Sequence, residues 1–195
     1  MIILGASGHA KVIIEIAQAN DRTIDTVYDK DVAKVEVLGY PVCHDEIPPQ
    51  ATCAVIAIGN NKIRQQLAQD HKTSFCAPLI HPTAIVSPSA SLGEGTVVMA
   101  GAIINAGAKI GAHVIINTAA VVEHDCVIED FVHISPNAAL AGNVTVEKGA
   151  HVGIGANVIQ GVQIGKQAVI GAGAAIIEGV AAHAVVVGVP GKQIK

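Results

Sequence analysis

From Ile80 to Ile176 every sixth residue is a branched aliphatic, seventeen positions without an exception, among them Val98, Ile104, Ile116, Val122, Ile134, Val152 and Ile170. A second column runs two residues earlier and is mostly small, as at Ala84, Ala102, Ala120, Cys126, Ala138, Ala150 and Ala174. A period of six is neither the 3.6 of an amphipathic helix nor the 2 of a half-buried strand. It is the repeat of a hexapeptide parallel β-helix, in which each six-residue unit forms one face of a triangular coil and every sixth side chain enters one internal column. At the usual inter-strand spacing, seventeen such units stack into a prism about 27 Å tall.

The residues before the repeat alternate strand-like and helix-like runs instead. Met1 to Leu4 reads as a strand, Gly5-Ala6-Ser7-Gly8-His9 as a tight turn, and Ala10 to Asn20 as a helix with Val12, Ile13, Ile16 and Ala17 inward. Thr26 to Tyr28 is a second strand ending at Asp29, and Ala54 to Ile58 a third. Gly59-Asn60-Asn61 is a second turn, Lys62 to His71 a second helix, and Ser74 to Cys76 a last short strand. Pro78 and Pro82 mark the boundary. The pattern predicts two domains: a small Rossmann-like α/β domain with a parallel sheet over 1–77, then the β-helix with a short tail over 78–195.

In a parallel α/β sheet, ligands meet the loops at the carboxyl ends of the strands. Three candidate loops fall there: Gly5 to His9, Asp29 to Asp31, and Gly59 to Asn61. Glycine lets backbone approach a ligand, and the helix start at Gly8 offers free N–H groups to an anion. The motif is G-x-x-G rather than G-x-G-x-x-G, so a mononucleotide or nucleotide-sugar is a more economical ligand than a dinucleotide. Turn-making alone is the competing explanation of these glycines.

Composition removes several alternatives. Aromatic residues are 2% of the chain, as a narrow prism filled with aliphatics requires, and only Phe131 lies within the repeat. A net charge of −4 without any Lys/Arg run leaves no footprint for nucleic acid. No apolar run is long enough to span a bilayer, and the start MIILGASGHA lacks the charged region of a signal peptide. A cytoplasmic location is expected. Cys43, Cys53, Cys76 and Cys126 form no close cluster, so they are expected as reduced, partly buried thiols, with neither zinc nor a disulfide framework.

One tripeptide in the repeat carries chemistry, Glu123-His124-Asp125. It follows the inward Val122, which places these side chains on an exposed edge of the coil. Imidazole titrates near neutrality, and a neighbouring carboxylate orients its tautomer and stabilises its cation, which is what a general base needs. A surface or packing role is the competing explanation for any single histidine. His133, nine residues on, could come near His124 only across a subunit interface or a neighbouring coil, and His113, His151 and His183 have weaker surroundings. His113, His124, His133 and His151 contain no closely spaced pair of the kind a three-histidine zinc site on a β-helix needs, so no metal is expected. Cys126 shares the phase of the inward small residues and is expected to be structural rather than nucleophilic.

The GASGH start, the IGNN turn, the central NTAAVVEHDCVIEDFVHIS stretch and the closing VGVPGK together make the whole chain resemble the bacterial sugar acyltransferases. That group includes the sialic-acid O-acetyltransferases and the bacillosamine-pathway nucleotide-sugar N-acetyltransferases, and the PglD type is the nearest pattern. The resemblance implies a left-handed β-helix and a homotrimer with active sites between subunits. It implies acetyl-CoA as co-substrate, a UDP-4-amino-4,6-dideoxy sugar acetylated at the C4 amine, and no metal. His124 takes the position of the catalytic base, with Asp125 where the family usually has Glu. Gly142 N–H takes that of an oxyanion donor. His133, Gly142, Gly161, Gly173, Val189, Pro190 and Lys192 match positions along coenzyme A, with Gly191 standing where Ala is usual. Gly8, His9, Asp29, Lys30, Gly59 and Asn60 match positions that hold the nucleotide-sugar. O-acetylation of a sialic acid or another sugar hydroxyl is the close alternative, and a non-catalytic trimeric scaffold the distant one.

Overall fold

In the computed structural model, which describes residues 1–47, 53–71 and 73–195, the first strand β1 (Ile2–Leu4) is buried along its whole length. It lies inside a sheet between β2 (Thr26–Tyr28) and β5 (Ala54–Ile56), paired parallel to both. The short strands β3 (Glu36–Val37) and β4 (Tyr40–Cys43) extend the sheet, giving the order β3-β4-β2-β1-β5. β4 is parallel to β2, while β3 returns antiparallel to β4. This hairpin is absent from the sequence reading. Its two-residue turn, Leu38 and Gly39, holds left-handed φ at both positions, the geometry that suits strand twist, but without the Asn-Gly pair that usually announces it.

Two helices cover the two sheet faces. α1 (Gly8–Ala19) buries Ala10, Ile13, Ile14, Ile16 and Ala17. Ile14 therefore takes the inward place expected for Val12, which is only partly buried. α2 (Asn61–Asp70) follows β5, and its N-terminus is capped by the Asn60 side chain, which accepts from the Lys62 and Ile63 N–H groups at 3.0 and 3.1 Å. Among the described residues, no helix is long and apolar enough to cross a membrane.

From Leu79 onward the chain winds as a left-handed parallel β-helix of two-residue strands in three sheets. Each coil takes eighteen residues, so Ile104 pairs with Val122, Ile128 with Val146, and Ile116 with Ile134. The inward column is the sixfold aliphatic column, with Ile104, Ile116, Val122, Ile134 and Val152 fully buried. Ile80, Val86 and Leu92 are only partly buried, since the lowest coil has none beneath it. After Ile176 the spacing shortens: Val169 pairs with Val185 and Ile170 with Val186, sixteen residues on. The tail then folds back, and Lys192–Gln193 pairs antiparallel to Val185–Val187.

Two of the four cysteines differ from expectation. Cys53 and Cys76 form a disulfide with Cα atoms 5.0 Å apart. Their separation of 23 residues is no recognisable motif; they meet because Phe75 bridges to Ala54 beside β5. Cys43 and Cys126 are free thiols.

Candidate active site

The outward residues of one prism face decide where the N-terminal domain sits. Reading up this face, Leu79, Val97, Ile115, His133, His151 and Val169 stand one above another. Leu79, Val97 and Ile115, with Met99, are buried in the same cluster as α1. Where the aliphatics give way to His133 and His151, the contact becomes polar.

Arg64 of α2 fastens this seam and is 1% exposed. Its Nε donates to the His113 carbonyl at 2.8 Å and Nη2 to the Phe131 carbonyl at 2.8 Å, while Nη1 donates to Ile58 O at 3.0 Å. Asn61 Nδ2 adds bonds of 3.0 Å to the carbonyls of Gly149 and Ala150. The carbonyls at 113, 131 and 149 lie at one corner on three successive coils, so α2 reads backbone rather than side chains. Burial lowers the Arg64 pKa to about 9, which leaves it charged at neutral pH. The His113 ring stacks on Phe131 with centroids 5.0 Å apart beneath this contact.

His133 belongs to the seam. It is 8% exposed, its Nδ1–H donates to Gly59 O at 3.3 Å, and Nε2 accepts from Asn117 Nδ2 at 3.0 Å. Burial first, then the neighbouring His151, Arg64 and His9, push its pKa down to about 3, so it is neutral. His9, at the start of α1, is held near 4 by burial and by Arg64, and its buried Nε2 has no hydrogen-bond partner among the described residues. Of the residues matched to nucleotide-sugar positions, Gly59 therefore has its carbonyl engaged by the coil and Asn60 has its amide oxygen engaged by α2.

At the carboxyl ends of β1, β2 and β5 lies a cavity of about 550 Å³. Gly5, Asp29 and Lys30 line it beside Tyr28, Ile58, Ile63 and Leu67, and the segment from Cys43 to Ile47 closes one side. Asp29 Oδ2 accepts from the Ala6 N–H and from Lys34 Nζ, both at 2.8 Å, and Oδ1 accepts from the Asp31 N–H at 3.0 Å. Its carboxyl is held below the usual range: burial opposes this, but the bond to Lys34 and the backbone N–H groups outweigh it. Lys34 also donates to Ser7 Oγ at 3.0 Å, so Ser7 does not cap α1 with its side chain. Lys34 escaped the sequence reading; its only signal is a cation five residues beyond the acid that ends β2.

His124 occupies a different part of the molecule. Val122 and Cys126 on either side are fully buried, while the His124 side chain is 56% exposed. Its Nδ1–H donates to Asp125 Oδ2 at 2.9 Å, which leaves the Nε2 lone pair free. Asp125 holds a φ of 60°, a left-handed turn that Asp tolerates better than most residues. One coil above stands Gly142, where a Cβ would lie 2.5 Å from His124 Nε2. Among the described residues the Gly142 N–H has no hydrogen-bond partner, and its carbonyl accepts from Gly161 N–H at 3.0 Å on the next coil. The Cys126 thiol donates to Ala141 O at 3.2 Å, and burial raises its pKa, the opposite of what a nucleophile needs.

Gly142 and Gly161 thus rise from His124 along one corner, and Gly173 lies at the next corner around the coil, beyond the face between them. The tail closes over the top of that face: Gly191 N–H donates to Ala175 O at 2.7 Å, and a Cβ on Gly191 would meet Ile176 Cδ1 at 2.7 Å. Val189, Pro190 and Lys192 remain exposed. Among the described residues no group of three His, Cys, Asp or Glu is placed to hold a metal.

The prism separates the His124 corner from the N-terminal domain. The N-terminal domain covers the face carrying Ile115, His133 and His151, whereas His124 sits on the corner joining the other two faces. Within one chain, His124 and His133 point to different sides, and the cavity lies on the side away from His124.

Residues 1–71 match the PglD N-terminal domain family. The UDP-N-acetylbacillosamine N-acetyltransferase of Bacillus subtilis (strain 168) is 46% identical over 111 residues, 50% of each chain, so the match spans half the length of that relative. A perosamine N-acetyltransferase from Caulobacter crescentus, solved as a histidine-to-asparagine mutant with CoA and GDP-perosamine, is 40% identical with a TM-score of 0.95, covering 100% of this chain and 96% of that one. The acetyltransferase domain of PglB from Neisseria gonorrhoeae FA1090, solved with acetyl coenzyme A, is 38% identical with a TM-score of 0.93, covering 99% and 98%. With 40% identity along its full length and the same two-part architecture, the chain belongs to the PglD-type family of sugar N-acetyltransferases.

Proposed function

We propose that the protein transfers the acetyl group of acetyl-CoA to the C4 amine of a nucleotide-linked 4-amino-4,6-dideoxy sugar used in glycan synthesis. The observation that carries this is the His124 corner: an exposed imidazole oriented by Asp125, with its free Nε2 beneath an unsubstituted glycine. The neutral amine attacks the thioester carbonyl, and the new C–N bond forms as the carbonyl becomes a tetrahedral oxyanion. His124 Nε2 takes a proton from the amine, Gly142 N–H donates to the oxyanion, and collapse breaks the C–S bond. The proton then leaves with the CoA thiolate. Asp125 keeps Nδ1 protonated throughout, so Nε2 is always the nitrogen that accepts. No residue of the chain is acylated, in keeping with the buried, hydrogen-bonded Cys126.

Coenzyme A extends in this reading from Gly142 past Gly161 and Gly173 to Val189, Pro190 and Lys192. The sugar nucleotide binds the N-terminal cavity, with its diphosphate toward Gly8 and His9 at the start of α1 and Lys30 after β2. Because that cavity and His124 lie on opposite sides of one prism, a complete site takes the cavity of one subunit and the His124 corner of another, as in a homotrimer. The sequence resemblance points to a UDP-linked sugar and the ligand of the Caulobacter relative to a GDP-linked one; the amine chemistry is the same for both.

The deciding experiment follows thiol release from acetyl-CoA across nucleotide-linked 4-amino sugars, the matching 4-hydroxy sugars, and free and CMP-linked sialic acids. Turnover confined to the amino sugars is expected. Turnover on a hydroxyl acceptor alone overturns the N-acetyl assignment, and turnover on none overturns the enzyme reading.

A further inference from the structure

At every sixth position from Gly95 to Gly173 the coil turns through a left-handed φ, and Ala119, Phe131 and Gln167 hold that turn at 54°, 59° and 55°. The turn by itself therefore does not demand glycine. Gly107 lies one coil below Asp125, and a Cβ there would fall 2.6 Å from Asp125 Oδ1 and 3.6 Å from its Cγ. At Gly101, in the same kind of turn at the preceding corner, a Cβ would come no nearer than 3.9 Å to its neighbours, which is ordinary contact. What excludes a side chain at 107 is the carboxylate resting over it. The backbone beneath is tied in place, since Gly107 N–H donates to Ser89 Oγ at 3.1 Å and Ala106 O accepts from Asp125 N–H at 2.9 Å.

An added Cβ at 107 is easily taken up by the fold, because the atom it meets is the free end of an exposed side chain. The dyad is not so tolerant. Both oxygens belong to one rigid carboxylate, so displacing Oδ1 carries Oδ2 away from His124 Nδ1, which it meets at 2.9 Å. Neutral histidine in water favours its proton on Nε2, and an acceptor at Nδ1 reverses that preference. We propose that Gly107 is a positioning residue: lacking a side chain, it seats the Asp125 carboxylate and through it keeps the His124 proton on Nδ1, with Nε2 free to accept. This role in turnover rests on His124 acting as the base.

Gly107→Ala in the full chain tests it, with Gly101→Ala as the control for a side chain in the turn. For Gly107→Ala, kcat is expected to fall about tenfold with KM for acetyl-CoA within about twofold. The ¹⁵N signals of the neutral His124 ring, identified by their loss in His124→Ala, are expected to move from the Nδ1–H toward the Nε2–H form. Gly101→Ala is expected to keep both kcat and tautomer. In an Asp125→Ala background, where no carboxylate remains to be displaced, Gly107→Ala is expected to cause no further loss. An unchanged tautomer in Gly107→Ala, an equal kcat loss with Asp125 absent, or an equal loss in Gly101→Ala overturns the positioning role. A tautomer that shifts while kcat holds at the wild-type value supports the positioning role and overturns instead the reading of His124 as base. Gly107→Asn brings the same Cβ on a residue that already holds this turn at Asn137 and Asn143, and gives the same readings should the Ala variant fail to fold.

Discussion

Gly142 lies one coil above His124, and a Cβ on it would fall 2.5 Å from Nε2 and 2.6 Å from Cε1. The missing side chain keeps that edge of the imidazole open. Gly142→Ala is expected to force the ring aside and lower kcat about ten- to a hundredfold with the melting temperature nearly unchanged, because the backbone there keeps an ordinary φ. Unchanged kcat in the Ala variant would show that the ring has room to move.

His124→Ala is expected to lower turnover about 10²–10⁴-fold while CoA binding stays within a few-fold. Asp125→Asn, which keeps the shape but no longer fixes the Nδ1 proton, is expected to lower it less. Steady-state thiol release reads both, and near wild-type turnover of the His124 variant removes the base from the mechanism.

Mixed assemblies report whether the site spans subunits. A His124→Ala chain mixed one to one with a chain carrying Lys30→Ala and Lys34→Ala, each inactive alone, is expected to recover about a quarter of wild-type activity on random trimer formation. Zero recovery after confirmed subunit exchange places both halves of the site within one chain.

Arg64 satisfies buried carbonyls on both sides of the seam, so Arg64→Leu leaves several acceptors dry and unpaired. A loss of about 3 kcal/mol or more in urea unfolding is expected. Arg64→Lys keeps the charge but not the planar fork, and is expected to recover only part of the loss.

Stability is expected to fall with acid through the seam histidines. The unfolded chain binds protons at His9 and His133 near 6.5, whereas the folded protein resists until about 4 and about 3. Their folded pKa values are depressed, so the stability they permit is fully present above 6.5 and drains away as pH drops toward 3, on the order of several kcal/mol. His133→Gln is expected to flatten the unfolding free energy measured between pH 7 and 4; equal slopes in variant and wild type would refute the assignment.

Much of this was legible along the chain. The sixfold column announced the prism, and its phase put Val122 and Cys126 inside with His124 outside, as found. The strands after Met1 and Asp25 and the helix after Asn60 were readable from apolar runs between turn residues. Arg64 and Asn61 were not, because their partners are backbone carbonyls, which every residue carries. Lys34 was not, because Ser7 comes from another loop and Asp29 is met only through the way the loop after β2 folds back. The Cys53–Cys76 pair was not, because a spacing of 23 residues carries no geometry.

The sequence by itself determined which side chains enter the coil and which leave it, since a period of six is a local property that each unit repeats. Only the tertiary structure decided which prism face the N-terminal domain covers, and so that His133 lies in a dry seam while His124 stands on the far corner. That choice depends on Val97, Met99 and Ile115 meeting α1 and on Arg64 meeting carbonyls from successive coils. Contacts between residues so distant along the chain leave no period behind them.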